Sequence, residues 1–271
     1  NYGSSSINMR GFAAEQFPQL PDLAGDMQAS VKGELFYRRV KQTAIASAND
    51  EIQPILTGIM LDINGEQLNL VATDFHRLTL CQGVWQTQSQ QQTQVIVPAK
   101  TMLDVANLAD AEEQVEISIS HNNACFKMGA TIFVSRLISG QFPDYRPIVP
   151  KEESFKHQVY VSKQLIGSAL RRASLLSKDA NNTVRLKFEE GQIVMTANTT
   201  DIGNIREVIP ADFQGEELMV GYNLKYLLDF LKVSSSENIY MKLSGNLTPG
   251  VMLEEDNASF TYIVLPLRLI D

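Results

Sequence analysis

The sequence predicts an α+β fold built from tandem copies of one module, in which two helices per copy pack on antiparallel sheets. Three observations predict it. Many short segments alternate apolar and polar residues with period two, and a few amphipathic helical stretches interrupt them without steady strand-helix-strand alternation. The third is an internal repeat.

Among the strands, Val115-Glu-Ile117-Ser-Ile119 and Val184-Arg-Leu186-Lys-Phe188 alternate strictly, so each presents one face to a core. Further strands are expected over 68–72, 77–84, 126–129, 131–137, 193–197, 205–209, 218–222, 239–243 and 260–265. Helical spacing predicts helices at about 33–48, 99–109, 162–178 and 223–233. Runs of strands broken by single helices favour antiparallel sheets with helices on one face.

The repeat has an offset of 125 residues. Lys100-Thr-Met-Leu103-Asp104 matches Lys225-Tyr-Leu-Leu228-Asp229, and Gln67-Leu-Asn-Leu-Val-Ala72 matches Gln192-Ile-Val-Met-Thr-Ala197. Phe17-Pro18 and Phe142-Pro143 share the offset and mark unit boundaries. The expected organisation is therefore a unit over 23–147 and a second over 148–271, with 1–22 read as the tail of a preceding unit.

The 271 residues, 44% of them hydrophobic, suffice for about two domains of roughly 100 to 200 residues each. Cys81 and Cys125 fit neither a disulfide framework nor a metal-ligand spacing and read as small buried residues. No run of eighteen apolar residues occurs, and no basic-then-apolar leader opens the sequence. A cytoplasmic protein with no membrane partner is expected.

A net charge of −8 argues against a protein that coats nucleic acid over its whole surface. Distribution matters more than the sum. At 100° per residue, Leu165, Ile166, Ala169, Leu170, Ala173 and Leu176 gather on one side of the third helix, with Lys163, Gly167, Arg171, Ser174 and Lys178 opposite. In the first helix Phe36, Val40, Ala44 and Ser47 share a face, with Arg38, Lys41 and Gln42 away from it and Arg39 on a flank. The last helix places Lys225, Asp229 and Lys232 at i, i+4 and i+7. If the units repeat, these helices face one way and present a positive lane to phosphates, made of Lys32, Arg38, Arg39, Lys41, Lys100, Lys163, Arg171, Arg172, Lys178, Lys225 and Lys232. No basic strand rich in aromatics is present to stack single-stranded bases, so duplex DNA, bound without base readout, is the expected partner.

The segments Val71-Ala-Thr73-Asp74-Phe75-His76-Arg77-Leu78, Phe142-Pro143-Asp144-Tyr145, Gly221-Tyr-Asn223-Leu-Lys-Tyr226-Leu-Leu-Asp229 and Tyr262-Ile263-Val264-Leu265-Pro266-Leu267-Arg268-Leu269 are where the chain becomes recognisable. In order and spacing it resembles the bacterial beta sliding clamps, the ring-forming beta subunits of DNA polymerase III, along essentially its whole length. The likeness is to the second and third domains, preceded by the end of the first.

The resemblance implies a DNA-clamp fold, a homodimeric ring around duplex DNA for the intact protein, and no cofactor, metal or catalytic residue. It also implies partners in the replicative polymerase, the clamp loader and repair proteins, which insert a short linear motif into a pocket. By motif match that pocket is lined by Leu56, Thr73, Phe75, His76, Arg77, Leu78, Pro143, Ile148, Asn223, Tyr226, Thr248, Ile263, Val264, Leu265, Pro266, Leu267 and Arg268. Aliphatic walls would desolvate apolar anchors while Arg77, His76 and Asn223 fix polar ends.

Three departures stand out. Family members often carry a basic residue where Pro147 stands and a small one where Phe75 stands, and Ile270-Asp271 extends the chain.

Two other readings compete. An enzyme could use Asp74, His76 and Arg77 with His121 or His157, but no nucleophile in a strained glycine turn and no phosphate loop accompanies them. A protein-interaction module without a DNA role is the other.

Overall fold

The structure is a computed structural model that describes residues 3–16, 27–50, 52–87, 92–111, 113–176, 182–199 and 203–269. Its first unit runs β1 (Met27–Lys32), α1 (Gly33–Ala44), β2 (Gly58–Asn64), β3 (Gln67–Thr73), β4 (Arg77–Val84), β5 (Gln86–Thr87), β6 (Thr93–Pro98), α2 (Ala99–Leu108), β7 (Gln114–Ile119), β8 (Asn123–Met128) and β9 (Thr131–Arg136). The second runs β10 (His157–Ser162), α3 (Lys163–Leu176), β11 (Thr183–Glu189), β12 (Gln192–Thr199), β13 (Gly203–Gln214), β14 (Leu218–Asn223), α4 (Leu224–Val233), β15 (Asn238–Leu243), β16 (Gly250–Glu254) and β17 (Asn257–Val264).

The repeat is structural. β2 and β11, β6 and β14, and α2 and α4 each begin 125 residues apart (58 and 183, 93 and 218, 99 and 224). Strand pairing repeats with them: β2 pairs with β3 and β6 as β11 pairs with β12 and β14, and β1-β7-β8-β9 is matched by β10-β15-β16-β17. The Phe17-Pro18 pair lies outside the described residues, so the proposed tail boundary rests on sequence alone.

Two differences between the units shape the molecule. The continuous strand β13 is broken in the first unit into β4 and β5 at Trp85, whose N–H donates to the Glu66 carbonyl at 2.9 Å. As a result a five-stranded sheet, β5-β1-β7-β8-β9, stands apart from a twelve-stranded one that crosses both units. The junction of the units is antiparallel pairing of β17 with β4, from Phe260 opposite Cys81 to Val264 opposite Arg77. The second difference is an insertion. α1 and α3 begin 130 residues apart (33 and 163) but β2 and β11 only 125, so the first unit carries five extra residues between its first helix and the next strand.

All four helices bury one stripe in a single core, through Phe36 and Val40 of α1, Met102 and Val105 of α2, Ile166 and Leu170 of α3, and Leu227 and Phe230 of α4. Alternation in β7 and β11 behaves as expected, with Val115, Ile117 and Ile119, and Val184, Leu186 and Phe188, pointing inward. Strand β2 does not alternate because both its faces are covered: Ile59, Leu61 and Ile63 enter the main core, and Met60 a second cluster with Leu78, Phe142, Tyr145 and Ile263. That second cluster lies beneath the segment linking the units.

Candidate functional site

The helices form a row in the order α2, α1, α4, α3, with α1 packed on both α2 and α4. Because each turns its apolar stripe into the same core, their polar faces share the opposite side. Lys32, Arg38, Lys100, Arg171, Arg172, Lys225 and Lys232 are exposed. Lys41 is half-buried, with Nζ 5.3 Å from the centre of the Tyr37 ring. A cleft of about 700 Å³ between α3 and α4 brings Lys163, Arg171 and Lys232 together with Ser235 and Ser236.

Several cations differ from the free, exposed side chains of a simple lane. Arg39 is 8% exposed and donates to Ser259 Oγ of the second unit, because its flank of α1 meets β17. Gln42, expected on the polar side, is buried for the same reason and donates to Glu254 Oε2 at 3.2 Å. Lys163 donates to the Ser234 carbonyl just past the end of α4, where helix carbonyls lack partners. Arg172 grips Glu207 with two bonds of 2.5 and 2.9 Å, which raises its own pKa and holds the Glu207 carboxyl below the usual range. Lys178 lies outside the described residues.

A groove of about 360 Å³ opens beside the junction of the units. One wall is the turn between β3 and β4, which side-chain bonds hold rigidly. Asp74 Oδ1 accepts from the N–H groups of His76 and Arg77, both at 3.0 Å. Thr73 Oγ1 donates to the Arg77 carbonyl at 2.7 Å and accepts from the Phe75 N–H at 3.1 Å. Phe75 at the tip has φ of +67°, a left-handed conformation that bulky side chains rarely adopt.

Arg77 ties this turn to the second unit. Its Nε lies 3.0 Å from Asp74 Oδ2, its Nη1 2.6 Å from Asp229 Oδ2, and its guanidinium 4.3 Å from the Tyr226 ring centre. Burial opposes its charge, but Tyr262, Asp229 and Asp74 outweigh that and raise its pKa. The His76 ring stacks on Tyr226 with centroids 6.4 Å apart. Leu56 and Lys225 line the same groove, so Lys225, grouped with the DNA-facing cations, sits at its rim.

An apolar wall adjoins the turn. Ile263 and Leu78 are paired across β17 and β4, and Pro143 is flanked by buried Phe142 and Tyr145. Ile148 and Leu265 stay exposed at the edge, and the Leu265 N–H donates to the His76 carbonyl at 2.9 Å. The chain then runs along β14, where the Leu267 N–H donates to the Gly221 carbonyl at 2.8 Å. Pro266 is half-buried and Arg268 exposed on this strap.

The remaining predicted pocket residues divide by role. Val264 points into the main core, since period two sends it opposite to Ile263, and it offers no side chain to a ligand. Arg77 and Thr73 are spent within the chain and build the turn. Asn223 caps α4 by accepting from the Lys225 N–H at 2.9 Å, and Thr248 donates to the Gly245 carbonyl in the turn before β16. Neither His121 nor His157 lines the groove. Sequence reasoning missed the opposite wall, Ser47 to Asp50 with Ile52 and Gln53, of which Ile52 is 85% exposed. The step in the repeat offset from 130 to 125 falls in this segment and was the signal for it.

Residues 30–144 match the family described as DNA polymerase III beta subunit, central domain, and residues 146–268 the C-terminal domain of that subunit. The beta sliding clamp of Escherichia coli (strain K12) is 31% identical over 268 residues, covering 98% of this chain and 72% of the relative. That of Bacillus subtilis (strain 168) is 30% identical over 270 residues, covering 98% and 71%. Among solved structures, the DNA polymerase III subunit beta from Pseudomonas aeruginosa superposes with a TM-score of 0.89 at 31% identity, over 95% of this chain and 70% of that one. A sliding clamp from the same organism bound to griselimycin gives the same values.

Proposed function

We infer, from the premise that this chain belongs to the DNA polymerase III beta subunit family, that it serves as a sliding clamp, a processivity factor that tethers a polymerase to duplex DNA and performs no chemistry itself. The row of four helices carries this reading. In a protein of net charge −8, exposed Arg38, Lys100, Arg171 and Lys232, with half-buried Lys41, lie along a row of helices that crosses both units. Such a surface attracts phosphates by displacing counterions and reads no bases, so the duplex can slide. Arg39, closed into the junction, is left out of this set.

Residues 23–147 and 148–271 are taken as the second and third of the three units that each protomer contributes to a homodimeric ring in the cytoplasm, with 1–22 completing the first. The groove and its apolar wall, from Leu56, Phe75 and His76 to Tyr226, Ile148 and Leu265, would receive linear motifs of the polymerase, clamp loader and repair proteins. Griselimycin, bound by the Pseudomonas aeruginosa clamp, is proposed as a ligand of this same region.

Cross-linking tests the DNA assignment. Both native cysteines are buried, so a photo-reactive group attached at R38C or K232C reports position cleanly. Cross-links to duplex DNA are expected from both sites and not from K127C on the outer face of β8. Equal yields from all three, or none from any, would favour an interaction module with no DNA role.

A further inference from the structure

The backbone of Phe75 is an anomaly that its place in the groove does not by itself explain. Its φ of +67° places Cβ against the following carbonyl, a strain for any L-residue that glycine avoids. Among the described residues the other non-glycine with positive φ is Asn182, a type that tolerates the conformation. Burial does not repay Phe75 for its strain, because half of its surface is exposed. The strain persists because Thr73 and Asp74 fix the backbone on both sides of it. The fold thus holds a large aromatic ring half in water, in a groove that the still more exposed Ile52 also lines.

We propose that Phe75 is a specificity-determining residue of the groove: with Ile52 it forms a two-sided apolar clamp that closes on an apolar side chain of the bound peptide. The proposal rests on the peptide-groove reading above and deepens it. The stacked pair His76 and Tyr226 lines the groove beside them. A peptide residue entering there meets the Phe75, Ile52 and Tyr226 side chains, while Asp50, Asp74 and Lys225, which also line the groove, can face the peptide's polar backbone or a charged neighbour. Ile52 belongs to the segment where the first unit carries its insertion.

The test uses the full chain and griselimycin as probe, with affinity read by calorimetry and stability by urea unfolding. F75Y keeps the ring and should bind within about twofold of the unsubstituted chain, whereas F75A and F75G should each lose about tenfold, the loss typical of an apolar anchor. Strain has its own signature: F75G should unfold at higher urea than F75A, reversing the usual order of glycine and alanine. Unchanged or tighter binding by F75A and F75G would overturn the proposal, as would F75A unfolding later than F75G. L265A, on the adjoining apolar wall and outside the pair of jaws, separates the two levels. If L265A weakens binding and F75A does not, the clamp of Phe75 and Ile52 falls and the groove stands. If the unsubstituted chain fails to bind griselimycin, the groove reading falls and takes the proposal with it.

Discussion

Removing the Asp229 carboxylate should loosen the junction of the two units more than its partly exposed position suggests. Its partner, the Arg77 side chain, is 4% exposed and holds two carboxylates at 3.0 and 2.6 Å. Breaking a fully buried pair costs roughly 3 to 5 kcal/mol because a charge is left without a partner. Here Asp229 is 27% exposed, so water can reach the vacated place, and Asp74 still neutralises part of the charge. A loss of about 2 kcal/mol follows for Asp229→Ala, and about 1 kcal/mol for Asp229→Asn, which keeps an acceptor. Urea unfolding at neutral pH measures both. The double variant R77M/D229A removes the orphaned charge, so it should be less destabilised than the two single losses added together. A change below about 0.5 kcal/mol for Asp229→Ala, the range of an ordinary surface substitution, would refute the claim that this ion pair joins the units; so would strict additivity.

Other consequences are more local. Gly33→Ala would set a Cβ 1.9 Å from the Asp110 carbonyl oxygen, and the clash should cost about 2 kcal/mol or more in the same unfolding assay. Gly221→Ala would press on Leu269 at 2.5 Å and the Leu267 carbonyl at 3.0 Å, so it should lift the terminal strap and weaken griselimycin binding with a smaller loss of stability. Burial pushes the Cys81 thiol up to about 11 and raises that of Cys125 as well, so a thiol reagent at mildly alkaline pH should label the folded protein slowly, Cys81 slowest. Arg172 lowers the Glu207 pKa, so the pair's contribution is complete above the unfolded value of about 4.3 and is lost as pH falls through the lower folded value. An NMR titration of Glu207 should therefore move upward in Arg172→Ala; an unmoved midpoint would show that the pair does not form in solution.

Much of this architecture was legible because the repeat multiplies weak local signals. A single Lys-x-x-Leu-Asp string says little, but the same offset shared by helix and strand segments located α2 against α4 and β3 against β12. Alternation found β7 and β11 because only one of their faces is buried. It passed over β2 and β16, which are buried on both faces and so do not alternate, and β1, whose Gln, Ala and Ser give a faint pattern. Helical projection sorted core from surface within one unit but could not see the neighbouring unit, which is why Arg39 and Gln42 read as solvent-facing. The groove was half legible. Its motif-bearing wall could be named residue by residue, whereas the insertion forming the other wall has no motif, and the strain at Phe75 lies in a backbone angle that residue identity does not disclose.

The central claim is that the helix row meets phosphates, and the salt dependence of duplex binding tests it most directly. Each phosphate contact contributes a slope of about −0.9 to the logarithm of affinity against the logarithm of salt concentration. Replacing Arg38, Lys41, Arg171 and Lys232 by Ala should therefore flatten the slope by about 3 to 4, while replacing Lys127 and Lys156 elsewhere on the surface should leave it nearly unchanged. An unaltered slope in the fourfold variant, or an equal flattening in the control, would contradict the account.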